Sequence, residues 1–291
     1  MDSNQTCSPP EQSIFQEFPT FEIIPIDKVI PHEFHDPSRT SPLIEKLRAS
    51  GVMINPPIFS PFDDDSGEYM VLDGANRVFA FKEMGFPHIL AQTVQADSDS
   101  LELSSWNHVI WDMATSTLIK SLKDIPNTSL IEKRENDNLT ERMGNNVIVS
   151  IKTPDDRELW ITSKVKKKTE CISMMISIMD TYKHTARFDR IPIGTIEAIQ
   201  GLYEDITAII TYPQFRIQEV FECCKAGILF PSGITRFRIT PRALKINYPL
   251  DELVSDKSLE EKRESLHAWL QERLSRKGVR FYAESTLIFD E

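Results

Sequence analysis

The first hundred residues alternate between short apolar runs and stretches with the spacing of an amphipathic helix. Four of the apolar runs are bounded by turn residues, which predicts strands. The predicted strands cover residues 21–27, 56–60, 68–72 and 88–94. Together with two intervening helices they give a compact β-α-β-β-α-β order over about residues 19–100.

The two helices have recognisable ends. The first is predicted to begin at Ser41-Pro42, because serine can cap a helix and proline suits its first position, and to end at Gly51. The second covers residues 77–84 and ends at Gly85, the usual residue type for a left-handed C-terminal cap.

The pattern changes after the first hundred residues. Residues 101–114 are interpreted as helical or irregular, residues 120–144 as a polar surface connection, and residues 146–163 as a β-hairpin with a Pro-Asp-Asp turn. The remaining predicted elements are helices at about 169–182, 193–205, 214–226 and 258–276 and strands at 207–212, 235–239, 243–248 and 279–289.

These elements indicate an α+β protein of two portions that meet at a cleft. We expect a polar, flexible lead at residues 1–18, an N-terminal domain at residues 19–118 and a C-terminal α+β domain at residues 119–291. No internal repeat or low-complexity tract interrupts this order.

Composition narrows the functional class. Of 291 residues, 40% are hydrophobic and 26% are charged, which is typical of a soluble globular protein. No apolar run reaches the length of a membrane span, and the lead lacks the features of a secretion signal, so we expect a cytoplasmic protein. The net charge of −11 disfavours broad binding to nucleic acid. Four cysteines without a CxxC pair indicate reduced structural thiols.

Residues 68–85, EYMVLDGANRVFAFKEMG, are the strongest candidate for chemistry. A strand that ends at Asp73-Gly74 and leads into a helix brings unpaired N–H groups and the positive end of the helix dipole to one point, which favours an anion. Arg77 adds a guanidinium that can bind phosphate through two N–H groups. Asp73 would repel that phosphate unless a metal ion lies between them or the carboxylate accepts a proton. The combination suggests Mg-nucleotide chemistry, although on composition alone an Asp-Gly turn with a surface arginine is the better account.

Three other segments carry candidate residues. Glu33 follows the first strand in a loop, where a carboxylate could accept the proton of an attacking hydroxyl; an ordinary exposed carboxylate is the alternative. Trp106 and His108 in SWNH could hold a small zwitterion, or could belong to the core. Thr235 and Arg236 in PSGITRFRI could donate to a carboxylate or phosphate, or could lie on an edge strand.

The segment from EIIPIDKVIPHE through NPPIF to DGANR resembles the nucleotide-binding core of the ParB/sulfiredoxin superfamily. The order of SWNH, PSGITRFRI, ALKINYPLDEL and RFYAESTLIFDE after it resembles the free L-serine kinases of that superfamily, from about residue 20 to the end of the chain. The resemblance implies a ParB/sulfiredoxin-like N-terminal nucleotide-binding domain and a C-terminal domain that completes a serine site. No Walker-type or protein-kinase glycine-rich loop is present, so kinase activity would come from a different fold.

The resemblance also implies roles for individual residues. Glu33 matches the catalytic glutamate of the family, and Asp73 matches its second acidic residue, which holds Mg²⁺ near the transferred phosphate. The implied nucleotide-binding residues are Pro57, Ile58, Asp73, Gly74, Ala75, Asn76 and Arg77. The implied serine-binding residues are Glu33, Trp106, His108, Thr235 and Arg236. The family commonly has histidine where this chain has Asn76, which can donate to a phosphate oxygen but carries no charge.

The expected activity is transfer of a phosphoryl group from ATP or ADP to the hydroxyl of free L-serine, with Mg²⁺ as cofactor. The alternative is a ParB-like nucleotide-binding regulator without catalysis. A sulfiredoxin-like reductase ranks last, because the turn lacks the cysteine that such chemistry needs. The sequence leaves open the choice between ATP and ADP, the pathway that receives phosphoserine, and the oligomeric state.

Overall fold

The computed structural model describes residues 18–133, 147–192 and 194–281. Nearly all of the predicted lead, most of the predicted strand at 279–289 and part of the predicted connection at 120–144 lie outside the described residues. The helices are α1 Pro37–Ser50, α2 Ala75–Glu83, α3 Thr115–Lys123, α4 Lys168–Asp180, α5 Ile217–Lys225, α6 Leu250–Val254 and α7 Leu259–Ser275.

In the described residues the strands form two large and two small sheets. In chain order they are β1 Thr20–Pro25, β2 Val29–Pro31, β3 Val52–Met53, β4 Ile58–Pro61, β5 Tyr69–Asp73, β6 His88–Thr93, β7 Leu101–Ser105, β8 Asn107–Trp111, β9 Ser129–Glu132, β10 Val147–Lys152, β11 Glu158–Thr162, β12 Arg187–Ile191, β13 Ile206–Thr211, β14 Thr235–Ile239 and β15 Tyr248–Pro249. The mixed α+β class predicted from the sequence is confirmed.

The N-terminal sheet has the strand order β1-β6-β4-β5-β2. Strands β2 and β5 are parallel, as are β4 and β6, whereas β1–β6 and β4–β5 are antiparallel. Met70 and Leu72 on β5 face one hydrophobic core and Val71 faces another, so this sheet is buried on both sides. The predicted β-α-β-β-α-β order is confirmed, with β2 and β3 as short additions.

Helix α1 begins five residues earlier than the sequence predicted. Asp36 is its N-cap and accepts a hydrogen bond from Ser38 N at 3.0 Å, and Pro37 occupies the first position. The Asp-Pro pair therefore starts the helix, and Pro42 lies inside it. Gly51 ends it in the left-handed conformation, as predicted.

The six-stranded sheet has the order β12-β8-β13-β10-β11-β9 and is antiparallel throughout. The expectation that residues 101–114 are helical or irregular was wrong, because they form β7 and β8. Strand β8 lies between two others, and residues His108, Val109 and Ile110 are all buried. A strand covered on both faces lacks the alternation that identifies a half-buried strand.

Two further predicted elements, the helix at 193–205 and the strand at 243–248, were wrong in whole or in large part. Residues 194–205 contain turns rather than a helix, although Ile199 packs into a small core at the spacing that suggested one. Residues 243–247 form a loop, in which Lys245 and Asn247 have positive φ, so β15 is only the end of the predicted strand.

The two ends of the described chain share a core. Leu253 on α6 and Leu266 on α7 pack into the hydrophobic cluster formed by the N-terminal sheet with α1 and α2. The C-terminal segment thus returns to the N-terminal sheet, while the boundary at residue 118 stays a prediction. Among the described helices, none combines the length and apolarity that a membrane crossing requires.

Candidate active site

The turn between β5 and α2, residues 73–77, is here called the phosphate turn. Gly74 has a φ of 98° and precedes the first residue of α2, Ala75. A Cβ on Gly74 would lie 2.7 Å from the Cβ of Pro57 and 2.9 Å from Nε of Arg77. The positive φ and the close contact with Pro57 both require glycine at position 74. Helix α2 has no side-chain cap, so its first N–H groups are donors that an anion can use.

Arg77 joins the phosphate turn to the loop before β4. Its Nη1 donates to the carbonyl oxygens of Asn55 at 2.7 Å and Pro56 at 3.0 Å, and its Nη2 donates to Asp73 Oδ2 at 3.1 Å. Burial lowers the pKa of Arg77, and the charge of Asp73 opposes that effect. Arg77 stays a cation, and it holds the two segments of the predicted nucleotide site together.

Pro57 and Ile58 lie behind the phosphate turn. The Pro57 carbonyl accepts from Gln92 N at 3.0 Å, and Ile58 is opposite Asp73 in the β4–β5 ladder. Ile58 is buried in the core. A ligand at the phosphate turn would therefore lie against the backbone of Pro57 and Ile58, because the Ile58 side chain is packed in the core.

Asp73 lies between two guanidinium groups. Arg242 Nη2 donates to the same Oδ2 that accepts from Arg77. Burial raises the pKa of Asp73, but the two arginines outweigh it and hold the pKa below its usual value. Asp73 is therefore ionised at neutral pH, which suits a metal ligand better than a proton donor.

Arg242 is a site residue that sequence reasoning missed. It lies in the segment after β14, which has no local motif for an anion site and was in part predicted as strand. Only the folding of that segment against the N-terminal sheet brings it to Asp73.

Glu33 lies in the loop after β2, where the backbone pairs with Phe230. Phe230 N donates to the His32 carbonyl at 2.8 Å, and Phe34 N donates to the Phe230 carbonyl at 3.1 Å. Glu33 Oε2 accepts a hydrogen bond from Gly233 N at 2.7 Å. Gly233 has a φ of 78° and ends the Pro-Ser-Gly turn of residues 231–233. The carboxylate is thus held in one orientation by a turn far along the chain.

Asn76 links the phosphate turn to the loop that carries Glu33. Its Oδ1 accepts from the backbone N–H of Asp36 at 2.8 Å. The contact ties the first turn of α2 to the segment that leads from Glu33 into α1. Asn76 therefore uses its amide oxygen within the protein, and its amide nitrogen is the group predicted to donate to a phosphate oxygen.

Thr235 is buried and lies next to His32, the residue before Glu33. His32 Nδ1 lies 2.5 Å from the Val71 carbonyl, and His32 Nε2 lies 2.7 Å from Thr235 Oγ1. Because a carbonyl can only accept, Nδ1 is the donor in the first contact, and Nε2 shares the second hydrogen bond with the Thr235 hydroxyl. This bridge connects β14 to β5, the strand that ends in the phosphate turn.

His108 is fully buried on β8 and is hydrogen-bonded to the Pro-Ser-Gly turn. Its Nε2 lies 3.0 Å from the Gly233 carbonyl, and its Nδ1 lies 2.6 Å from the Tyr182 hydroxyl, which in turn lies 2.8 Å from the Tyr212 hydroxyl. The carbonyl requires a proton on Nε2, so Nδ1 accepts from Tyr182. Burial lowers the pKa of His108 to about 4, and the charge of Arg190 adds to the effect.

Trp106 and Arg236 form a stacked pair. The Arg236 guanidinium carbon lies 4.2 Å from the centroid of a Trp106 ring, which is a cation–π contact. Trp106 N donates to the Ile234 carbonyl at 2.9 Å, so the indole is attached next to the Pro-Ser-Gly turn. Both side chains are partly exposed.

Arg190 on β12 is a second residue of this region that was not predicted from the sequence. A Cβ on Gly233 would lie 2.0 Å from Arg190 Cζ, so the guanidinium lies directly against the turn. Arg190 Nη2 also donates to Ser232 Oγ at 3.4 Å. The alternation in the RFDRI sequence of β12 was the available signal for this strand.

The predicted site residues fall into two groups joined by specific hydrogen bonds. One group surrounds the phosphate turn, and the other surrounds the Pro-Ser-Gly turn with Glu33, Trp106 and Arg236. The Asn76–Asp36 bond and the His32 bridge connect them. His108 and Thr235 are brought to this region but are buried and already bonded within the protein. In the part of the chain that the structure describes, no three His, Cys, Asp or Glu side chains cluster to hold a metal ion.

The chain is similar to known proteins in sequence and in fold. No family model matches the chain. Over 270 residues the chain is 22% identical to the ATP-dependent L-serine kinase SbnI of Staphylococcus aureus, covering 93% of this chain and 97% of the relative. Over 84 residues it is 34% identical to the ATP-dependent L-serine kinase of Staphylothermus marinus, covering 29% of this chain and 33% of the relative.

Solved structures share the fold. The chain superposes on C-terminally truncated SbnI from Staphylococcus aureus with a TM-score of 0.69 and 19% identity, covering 87% of this chain and 97% of that one. It superposes on a glutamate-to-alanine variant of a free serine kinase in complex with ADP with a TM-score of 0.65 and 17% identity, covering 80% and 93%. The expected resemblance to free serine kinases is confirmed at the level of sequence similarity and fold.

Proposed function

We propose that this chain is an ATP-dependent kinase that phosphorylates the hydroxyl of free L-serine to give O-phospho-L-serine. The observation that carries the proposal is the position of Glu33, which is fixed by Gly233 N and tied through the Asp36–Asn76 bond to the phosphate turn. Similarity to two ATP-dependent L-serine kinases favours ATP over ADP as donor.

The phosphate turn is the proposed site of the nucleotide. Phosphoryl transfer depends mainly on positioning and on neutralising charge, and the open N–H groups of α2 and the Arg77 guanidinium provide both. Gly74 keeps the backbone close enough for these contacts. Pro57 and Ile58 form the wall behind the phosphates.

Asp73 is the proposed Mg²⁺ ligand. Mg²⁺ is usually bound through one or two carboxylates together with substrate phosphates and waters, so a single ionised aspartate fits the ion. Both contacts that the described residues make with the Asp73 carboxylate go to Oδ2, which leaves Oδ1 as the oxygen for a cation. When bound, the metal would neutralise charge on the phosphates.

Glu33 is the proposed general base. Its Oε2 accepts a hydrogen bond from Gly233 N. The carboxylate accepts the proton of the serine hydroxyl as that oxygen forms a bond to the terminal phosphorus of ATP, the bond from that phosphorus to the bridging oxygen breaks, and ADP leaves. Trp106 and Arg236, as partly exposed neighbours of the same turn, are the proposed contacts for the carbon skeleton and carboxylate of serine. His108 and Thr235 are assigned positioning roles, since each is buried and holds the turn or β14 in place. A cytoplasmic location remains a prediction.

The reaction is tested by phosphorus NMR of the purified protein with Mg²⁺, L-serine and either ATP or ADP. We expect a phosphoserine signal with ATP. A folded protein that yields no phosphoserine with either nucleotide would exclude the kinase and turn attention to a nucleotide-binding regulator.

The role of Glu33 is tested with Glu33→Gln, which keeps an acceptor for Gly233 N but removes the base. We expect about a 10²- to 10⁴-fold loss of turnover with unchanged nucleotide binding and thermal unfolding. Glu45→Gln, an exposed glutamate on α1, is the matched control. Turnover at the wild-type rate in Glu33→Gln would remove Glu33 from the mechanism.

A further inference from the structure

We propose that Arg242 is a phosphate-binding residue of the nucleotide site, a second guanidinium that pairs with Asp73 and donates to the phosphate chain beside Arg77. The inference rests on the proposed nucleotide site. It adds a residue from the C-terminal part of the chain to a site otherwise formed by residues 55–77.

The first argument is placement. Arg242 and Arg77 donate to the same oxygen of Asp73, so both guanidinium groups lie at the residue that ends β5 and opens the phosphate turn. Arg77 also donates to two backbone carbonyls, which occupy its Nη1. The contacts that the described residues make with the Arg242 side chain go to Asp73, so more of its donors remain for a ligand.

The second argument is that the segment carrying Arg242 is anchored on both sides. Gln92, which is buried, donates from Nε2 to the Pro241 carbonyl at 2.8 Å and accepts at Oε1 from Ala243 N at 2.9 Å. Lys245 N donates to Asn55 Oδ1 at 2.8 Å, in the loop that Arg77 also holds. The backbone around Arg242 is therefore fixed without its side chain.

The third argument is charge. Two guanidinium groups against one carboxylate leave an excess of one positive charge at this turn, in a chain whose net charge is −11. Arg242 is about 40% exposed, and a salt bridge so exposed contributes little to folding stability. A local positive excess at an open helix N-terminus is the arrangement that attracts a polyanion.

The test compares Arg242→Gln with wild type by calorimetric titration of ADP and of adenosine, with and without Mg²⁺. Adenosine lacks the phosphates, so it reports the rest of the site. We expect Arg242→Gln to lose about tenfold to a hundredfold in ADP affinity, as for one charge-assisted contact, and to bind adenosine as wild type does. Arg242→Lys keeps the charge without the planar guanidinium, so its ADP affinity should lie between those of wild type and Arg242→Gln.

Arg276→Gln is the matched control, because Arg276 is an exposed arginine paired with Glu272 on α7. Its ADP affinity should equal that of wild type. Unchanged ADP affinity in Arg242→Gln, or equal losses for ADP and adenosine, would overturn the inference while leaving the kinase proposal intact. Wild-type protein that binds neither ADP nor ATP would instead remove the nucleotide site itself.

Discussion

The buried histidine on β8 makes the folding stability of this protein depend on pH between 7 and 4. His108 is fully buried, and its pKa in the folded chain is about 4, against about 6.5 for an exposed histidine. In the interval between these values the unfolded chain binds a proton that the folded chain does not. The free energy of unfolding therefore falls as pH falls from 6.5 towards 4.

The magnitude follows from the size of the pKa difference. Each pKa unit corresponds to about 1.4 kcal/mol, so the full contribution of His108 is about 3 kcal/mol. Between pH 7 and pH 5 about 2 kcal/mol of that total should be lost. Other groups titrate in the same range, so the difference between wild type and a His108 variant is the quantity to measure.

The assay is urea unfolding followed by tryptophan fluorescence at pH 7 and pH 5, on wild type and His108→Gln. Glutamine does not titrate, and its amide can still donate towards the Gly233 carbonyl. We expect the variant to be less stable at pH 7 by about 1–3 kcal/mol, because a buried hydrogen-bond network is disrupted. Its loss between pH 7 and pH 5 should be smaller than that of wild type by about 2 kcal/mol. Equal losses in the two proteins would refute the assignment of a neutral, buried His108.

Two further outcomes are expected from the site geometry. Gly74→Ala should weaken ADP binding and destabilise the chain by about 1–3 kcal/mol, because alanine at this φ is strained and its Cβ would clash with Pro57. ADP affinity and thermal unfolding equal to those of wild type would contradict this. Arg236→Gln should raise the KM for serine about tenfold to a hundredfold with little effect on ADP binding, through loss of a charge-assisted contact. Arg238→Gln, on the same strand but paired with exposed Glu102, is the control, and an equal rise in its KM would count against a specific role for Arg236.

The N-terminal sheet could be predicted because its signals are local. Turn residues separate its strands, and Gly51 and Gly85 end its helices where the chain adopts positive φ. The phosphate turn is likewise contained in one short segment. Its aspartate, glycine and arginine all lie within DGANR, so the sequence alone predicts them as one group.

The features of the fold and of the site that the sequence did not predict depend on contacts between distant segments. Strand β8 has no alternation because both faces of its sheet are covered, with Ile110 in one hydrophobic core and Val109 in another. Lys245 adopts a positive φ that its residue type does not reveal. Arg242 and Arg190 reach the site through the packing of loops and strand edges. His108 was identified as a site residue, but a direct contact with substrate was expected, since nothing in SWNH reveals that Tyr182 and Gly233 occupy both ring nitrogens.

The contact between Glu33 and Gly233 also sets an order of events during synthesis of the chain. The two residues are 200 positions apart. At ordinary rates of translation, roughly 10 to 40 s separate the appearance of the carboxylate from that of the turn that orients it. On the proposed mechanism, a nascent or prematurely ended chain carries the phosphate turn without an oriented base. Turnover then begins only after residue 233 has been made and the Pro-Ser-Gly turn has folded against Glu33.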